Sequence, residues 1–117
     1  MKNNVPVILL LYTGGTIGMV KDYESNALKP FDFDNIKVKI PELKLLDCKI
    51  ETTAFSNPID SSDMSPRYWV MIAEIIEKRY HDIDGFVVLT GTDTMSYTAS
   101  ALSFILENLS KPVIFTG

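Results

Sequence analysis

Three short runs in this 117-residue sequence are dense in hydroxyls, small residues and carboxylates: Thr13-Gly14-Gly15-Thr16-Ile17-Gly18, Asp60-Ser61-Ser62-Asp63-Met64 and Thr90-Gly91-Thr92-Asp93-Thr94. In the first, paired glycines let the backbone turn sharply and approach a ligand closely, presenting N–H groups to an anion or oxyanion. Thr16 then offers a hydroxyl as nucleophile beside those amides. In the third, Thr92 sets a second hydroxyl next to Asp93. A carboxylate at a helix N-terminus is stabilised by the helix dipole and stays ionised. Asp93 can therefore accept a hydrogen bond from a substrate ammonium while Thr92 relays or donates a proton. Asp60, Ser61 and Ser62 supply short hydroxyls and amides suited to a carboxylate.

Each run also has a plainer meaning. TGGTIG is compatible with a tight strand exit or a Gly-rich phosphate loop, although it fits GxGxxG poorly and lacks the Gly-Lys-Ser/Thr of a P-loop. Thr92-Asp93 serves equally as a helix cap, and Asp60-Ser61-Ser62 as a turn plus cap. The joint pattern is what favours chemistry. Each run follows a strand-like segment, and in open parallel sheets ligands bind in the crevice beyond the carboxyl ends of the strands.

The elements that must position these runs are legible as apolar segments. Residues 5–12, 48–55, 85–90 and 112–116 are rich in β-branched and aliphatic residues. The first, third and fourth are nearly continuous apolar stretches, the pattern of parallel strands covered on both faces. Residues 48–55 alternate more, as an edge strand would. Ser65-Pro66 is an N-cap and N1 pair opening a helix over 66–80, with Trp69, Ile72, Ala73, Ile76 and Tyr80 on one face. Thr94 caps a second helix over 95–109, with Met95, Ala99, Leu102, Phe104, Ile105 and Leu109 inward. Strand, helix, strand, helix, strand over 48–116 is an α/β plan with right-handed crossovers. The expected fold is a doubly wound, mainly parallel sheet with flanking helices. Residues 19–47 are polar and punctuated by Gly and Pro, and predict a mobile loop followed by a short helix near 32–39. Long loops of this kind often act as functional lids. The last apolar strand ends at Thr116-Gly117 with no helix behind it. Such a strand normally lies inside a sheet, so the fold is expected to be incomplete at the C-terminal end.

Composition narrows the function. A formal net charge of -4 offers no basic surface for nucleic acid or anionic membrane. The apolar run 5–12 is too short to span a bilayer. TGGT follows it where a signal-peptide cleavage site would stand, so a cytoplasmic location is expected. Cys48 is the only cysteine and His81 the only histidine, which leaves no internal disulfide and argues against a His/Cys zinc site. A Ser-His-Asp triad would need His81, which lies in the polar run Tyr80-His81-Asp82-Ile83-Asp84 and reads as a solvated loop residue.

The TGGTIG, SSDM and GTDTM blocks, in this order and at this spacing, resemble those of bacterial asparaginases. The similarity continues through Ser96-Tyr97-Thr98-Ala99-Ser100-Ala101-Leu102-Ser103-Phe104 and Lys111-Pro112-Val113, and points to the cytoplasmic type I branch. The resemblance covers almost the whole chain and implies that residues 1–117 are the N-terminal part of an asparaginase-like catalytic domain. It implies a threonine nucleophile at Thr16, which forms an acyl-enzyme from the side-chain amide of L-asparagine and releases ammonia. It implies a second catalytic pair at Thr92 and Asp93. Substrate α-carboxylate and ammonium contacts fall to Asp60, Ser61 and Ser62, with Asp93 on the ammonium. No metal or organic cofactor is implied, the partner is a small-molecule substrate, and the full-length form is expected to be a homo-oligomer.

This sequence departs from the family pattern in two places. Thr90 stands where the family usually has His before Gly-Thr-Asp-Thr. The family's lid tyrosine falls near Ala27, with Tyr23 its nearest tyrosine neighbour. The family's catalytic lysine and its carboxy-terminal domain lie beyond residue 117, so the isolated chain is expected to have little or no asparaginase activity. Two other roles remain open. One is the ammonia-releasing subunit of a tRNA-dependent amidotransferase, which normally carries an extra amino-terminal domain. The other is a non-catalytic amino-acid-binding or complementing fragment.

Overall fold

A computed structural model of the chain describes residues 5–15, 19–25, 27–30 and 40–117. Its centre is a four-stranded sheet in the order β4-β1-β5-β6, formed by β1 (Val7–Tyr12), β4 (Lys49–Ala54), β5 (Gly85–Leu89) and β6 (Val113–Thr116). Every pairing is parallel: Leu9 lies opposite both Glu51 and Phe86, and Val88 lies opposite Phe115. The strands are the expected four, trimmed by a residue or two, and the more alternating β4 does lie at an edge.

Two helices connect them, α1 (Pro66–Arg79) between β4 and β5 and α2 (Met95–Ile105) between β5 and β6. Both connections step in the same direction across the sheet. Right-handed crossovers that step the same way must lie on the same face. The core agrees: Ile72, Ala73 and Ile76 of α1 and Leu102 of α2 cluster with Leu9 and Leu11 of β1 and Phe86 and Val88 of β5. Burying one such aliphatic side chain contributes about 1.5–3 kcal/mol. On the other face the described residues place no α-helix, and Ile8, Leu10 and Val87 are only half-buried.

Ser65 and Thr94 occupy the N-cap positions as expected, but neither side chain makes the cap hydrogen bond. The first turn of α1 is closed instead by backbone bonds from Tyr68 and Trp69 to the Ser65 carbonyl. On α1, Ile72, Ala73 and Ile76 are buried and Trp69 is half-buried, as is Tyr80 just past its end.

The second helix differs from expectation in two respects. It ends at Ile105 rather than 109, because Leu106 is extended and Asn108 adopts a positive φ of 55°, a conformation that asparagine tolerates. Its buried stripe is Thr98 and Leu102, while Phe104 is 84% exposed. Two residues along a helix is a turn of about 200°, so Phe104 cannot share a face with Leu102. Thr98 goes inward because its hydroxyl accepts the Trp69 indole N–H at 3.1 Å, satisfying both groups in the α1–α2 interface.

The expected loop over 19–30 is instead an antiparallel hairpin, β2 (Met19–Asp22) and β3 (Ala27–Pro30). A five-residue 3-10 helix follows at Pro41–Leu45. The helix expected near 32–39 lies outside the described residues. At the amino-terminal end of the sheet, the Tyr80 hydroxyl accepts N–H bonds from Ser110 at 2.7 Å and Lys111 at 3.2 Å. With its ring stacked on Phe86, Tyr80 ties the end of α1 to the turn before β6.

Candidate active site

The three hydroxyl-rich runs meet at the carboxyl ends of β1, β4 and β5. Thr13 leaves β1 with its N–H and its hydroxyl both donated to the Leu89 carbonyl, each at 2.9 Å, which locks the first run to the end of β5. Its own carbonyl accepts the Ile59 N–H at 2.8 Å, which brings the segment leading to Asp60 alongside.

The glycines that follow are there for closeness as much as for turning. A β-carbon on Gly14 would lie 2.7 Å from the Ile59 nitrogen, and one on Gly15 would lie 2.8 Å from the Gly91 nitrogen. Backbone packs on backbone at both points, and Gly15 has a φ of +93° that L side chains rarely adopt. Gly14-Gly15 is thereby sandwiched between Ile59, just before the second run, and Thr90-Gly91 of the third. Thr90 N donates to Thr116 O at 3.0 Å, which extends the ring of loops to the end of β6.

Around this junction the expected site residues fall as follows. Thr16 lies outside the described residues, directly after Gly15. Asp60 is exposed, and one carboxylate oxygen accepts the Ser62 N–H at 3.0 Å and the Ser62 hydroxyl at 2.9 Å. Those two bonds, the backbone one foremost, hold the Asp60 carboxyl below its ordinary value. Ser61 opens the 3-10 turn Ser61–Asp63 between Asp60 and α1. Thr92 and Asp93 are exposed in the turn that leads from Gly91 into α2, and the Thr92 carbonyl accepts the Met95 N–H at 3.4 Å. Tyr23 is at the turn of the β2–β3 hairpin and is 89% exposed. His81 is exposed in the turn after α1, as its polar surroundings predict.

One residue at the junction escaped sequence reasoning, and the burial of another was not foreseen. Tyr12 is buried, and its hydroxyl donates to the Gly15 carbonyl at 2.7 Å; burial pushes its phenol pKa up. The available signal was a polar-tipped aromatic closing an otherwise aliphatic strand, immediately before a glycine turn. Thr90, which stands where the family usually has His, is 1% exposed, and among the described residues its buried hydroxyl oxygen has no hydrogen-bond partner. Among the described residues, no group of three or more His, Cys, Asp and Glu is arranged to hold a metal ion, and no helix is long and apolar enough to cross a membrane.

A parallel α/β sheet whose strand ends gather glycine turns, hydroxyls and exposed aspartates has the form of the open α/β sheets that bind their ligands beyond the carboxyl ends of the strands. Known proteins make the class specific. The family model described as "Asparaginase, N-terminal" matches residues 7–117, and the chain belongs to that family. It is 49% identical to L-asparaginase 1 of Escherichia coli K12 over 111 residues, which cover 94% of this chain and 33% of that protein. It is 42% identical to a glutamyl-tRNA(Gln) amidotransferase subunit of Pyrococcus abyssi, over 99% of this chain and 26% of that protein. The crystal structure of L-asparaginase I from Vibrio cholerae superposes with a TM-score of 0.84 at 44% identity, covering 97% of this chain and 34% of that one. The chain thus spans about a third or less of the length of these relatives.

Proposed function

We propose that this chain forms the front part of a cytoplasmic catalytic domain that hydrolyses L-asparagine to L-aspartate and ammonia, with Thr16 as nucleophile. The Thr16 hydroxyl oxygen attacks the side-chain amide carbon, and backbone N–H groups at the glycine turn meet the oxyanion that develops. The carbon–nitrogen bond then breaks. Ammonia leaves with the proton that the nucleophile gave up, relayed by Thr92. Water hydrolyses the resulting ester, which releases aspartate and restores the Thr16 hydroxyl. Asp60, Ser61 and Ser62 contact the substrate α-carboxylate and ammonium, with Asp93 on the ammonium and Tyr23 on the hairpin as the lid side chain.

The observation that carries this reading is the backbone packing of Gly15 on Gly91 and of Gly14 on Ile59, which unites the three runs. Within TGGT, Thr13 is buried and its hydroxyl is engaged with Leu89, which supports Thr16 as the reactive threonine of the pair. Ammonia release from L-asparagine by the full-length natural protein, abolished by Thr16→Ala and strongly reduced by Thr92→Ala, is the expected result. Undiminished turnover in Thr16→Ala would overturn it.

A second reading is favoured by the 42% identity to a protein named as part of a glutamyl-tRNA(Gln) amidotransferase. Here the same amide chemistry delivers ammonia to a partner enzyme. Turnover of free asparagine without any partner selects the first reading. Amide hydrolysis that appears only when a partner enzyme and charged tRNA are added selects the second. Amino-acid binding with no turnover under either condition would leave a non-catalytic role.

A further inference from the structure

Paired glycines permit the turn at Gly14-Gly15 but cannot hold it, because the freedom that lets glycine reach a φ of +93° also opens many other states. Something outside the turn must select one. The backbone bonds at its start, Thr13 N to Leu89 O and Ile59 N to Thr13 O, both act on Thr13. Farther along, the Tyr12 hydroxyl reaches over the turn and donates to the Gly15 carbonyl oxygen at 2.7 Å.

Tyr12 is well placed to serve as the fixed end of such a tether. It is the last residue of β1, lies opposite both Ala54 and Leu89, and its carbonyl accepts the Phe55 N–H at 3.0 Å. The residue is 1% exposed. A side chain held on both flanks of a central strand brings its hydroxyl to the turn at little further entropic cost. The peptide group is planar, so whatever holds the Gly15 oxygen also fixes the direction in which the glycine turn ends. Burial raises the phenol pKa and keeps the hydroxyl a donor through neutral pH.

We propose that Tyr12 is a positioning residue for the chemical step, acting by pinning the Gly15 carbonyl at the glycine turn; this rests on the threonine-nucleophile reading. Tyr12 is buried with its hydroxyl donated to the Gly15 carbonyl, so that hydroxyl matters to the chemical step and not to substrate affinity.

The test is Tyr12→Phe in the full-length natural protein, assayed for steady-state ammonia release from L-asparagine beside the wild type. The expected result is a kcat lower by about tenfold, the equivalent of one hydrogen bond's worth of barrier, with KM and Tm nearly unchanged. A kcat within about twofold of wild type, or a raised KM at unchanged kcat, would overturn the proposal. A wild type that hydrolyses no amide would instead remove the nucleophile reading, and this inference with it.

A second variant covers the case in which Tyr12→Phe does not fold. A ring-fluorinated tyrosine at position 12 keeps both shape and donor but is more acidic. Its kcat should match wild type at low pH and fall on the alkaline side, where wild type stays level, as the phenol loses the proton it donates. An alkaline limb identical to wild type would refute the positioning role.

Discussion

Gly15 rests against Gly91 so closely that a β-carbon on Gly15 would stand 2.8 Å from the Gly91 nitrogen and 2.9 Å from its α-carbon. Neither neighbour is a flexible side chain that could swing away. The first and third polar runs, far apart in sequence, are joined here by the absence of a side chain on Gly15.

Gly15→Ala should therefore destabilise by about 2 kcal/mol or more, from the clash together with a positive φ that alanine resists. Gly85→Ala is the matched control. A β-carbon there meets the Ile8 δ-methyl at 3.1 Å, a group that can shift, and no positive φ is involved. Its cost should stay below about 1 kcal/mol. Urea unfolding of both variants checks the contrast, and equal losses would refute the backbone-packing account.

The buried hydroxyl of Thr90, without a partner among the described residues, leads to an expectation of opposite sign. A desolvated hydroxyl without a partner costs about 1–3 kcal/mol, and valine keeps the shape while removing the polar atom. Thr90→Val should raise stability by about 1 kcal/mol. A loss of the same size in thermal or urea unfolding would mean that the hydroxyl is bonded to a buried water. Thr90 stands where the resemblance leads one to expect His, so Thr90→His reports how that departure alters turnover.

Much of this was legible in the sequence, for identifiable reasons. Residues 85–89 and 113–116 are short apolar runs bounded by Gly, Pro and polar residues, and such runs have few alternatives to a buried strand. Once the strands are parallel, the loops at their carboxyl ends have to converge. The hairpin at 19–30 was hidden because strands of four residues are too short to display a period. The inward face of α2 was misassigned because Tyr97, Ala99, Leu102, Phe104 and Ile105 leave little polar contrast around the helix. There the deciding term was polar: the Trp69 N–H needed an acceptor, and Thr98 provides it. Tyr12 was missed because an aromatic residue at the end of an apolar strand looks like packing alone.

The Trp69–Thr98 bond can be weighed directly. Thr98→Val leaves the indole N–H of a half-buried tryptophan without its acceptor and should cost about 1–2 kcal/mol. In a Trp69→Phe background no N–H is left behind, so the same threonine change should cost distinctly less. A coupling of about 1 kcal/mol in the double-mutant cycle is expected. Strict additivity would mean that Thr98 is buried for its methyl group.

Asp60 supplies a pH dependence whose sign follows from its contacts. The Ser62 N–H and hydroxyl both donate to the ionised carboxylate, so the folded pKa lies below the unfolded value near 3.8. The stabilisation is therefore fully present above that unfolded value and is lost as pH falls through the folded one. Because the carboxylate is exposed, solvent screens the effect and the shift itself is the better readout. A carbon-detected NMR titration of Asp60 should give a midpoint below that of an aspartate in a short peptide. In Ser62→Ala only the backbone donor remains, so the midpoint should rise part of the way back and not the whole way. The backbone bond contributes more than the hydroxyl bond to the shift, and complete reversal by Ser62→Ala would invert that order. An unshifted wild-type midpoint would mean that the turn at Asp60-Ser61-Ser62 is not closed in solution. The substrate-facing arrangement proposed for those residues would then have to form only when the ligand binds.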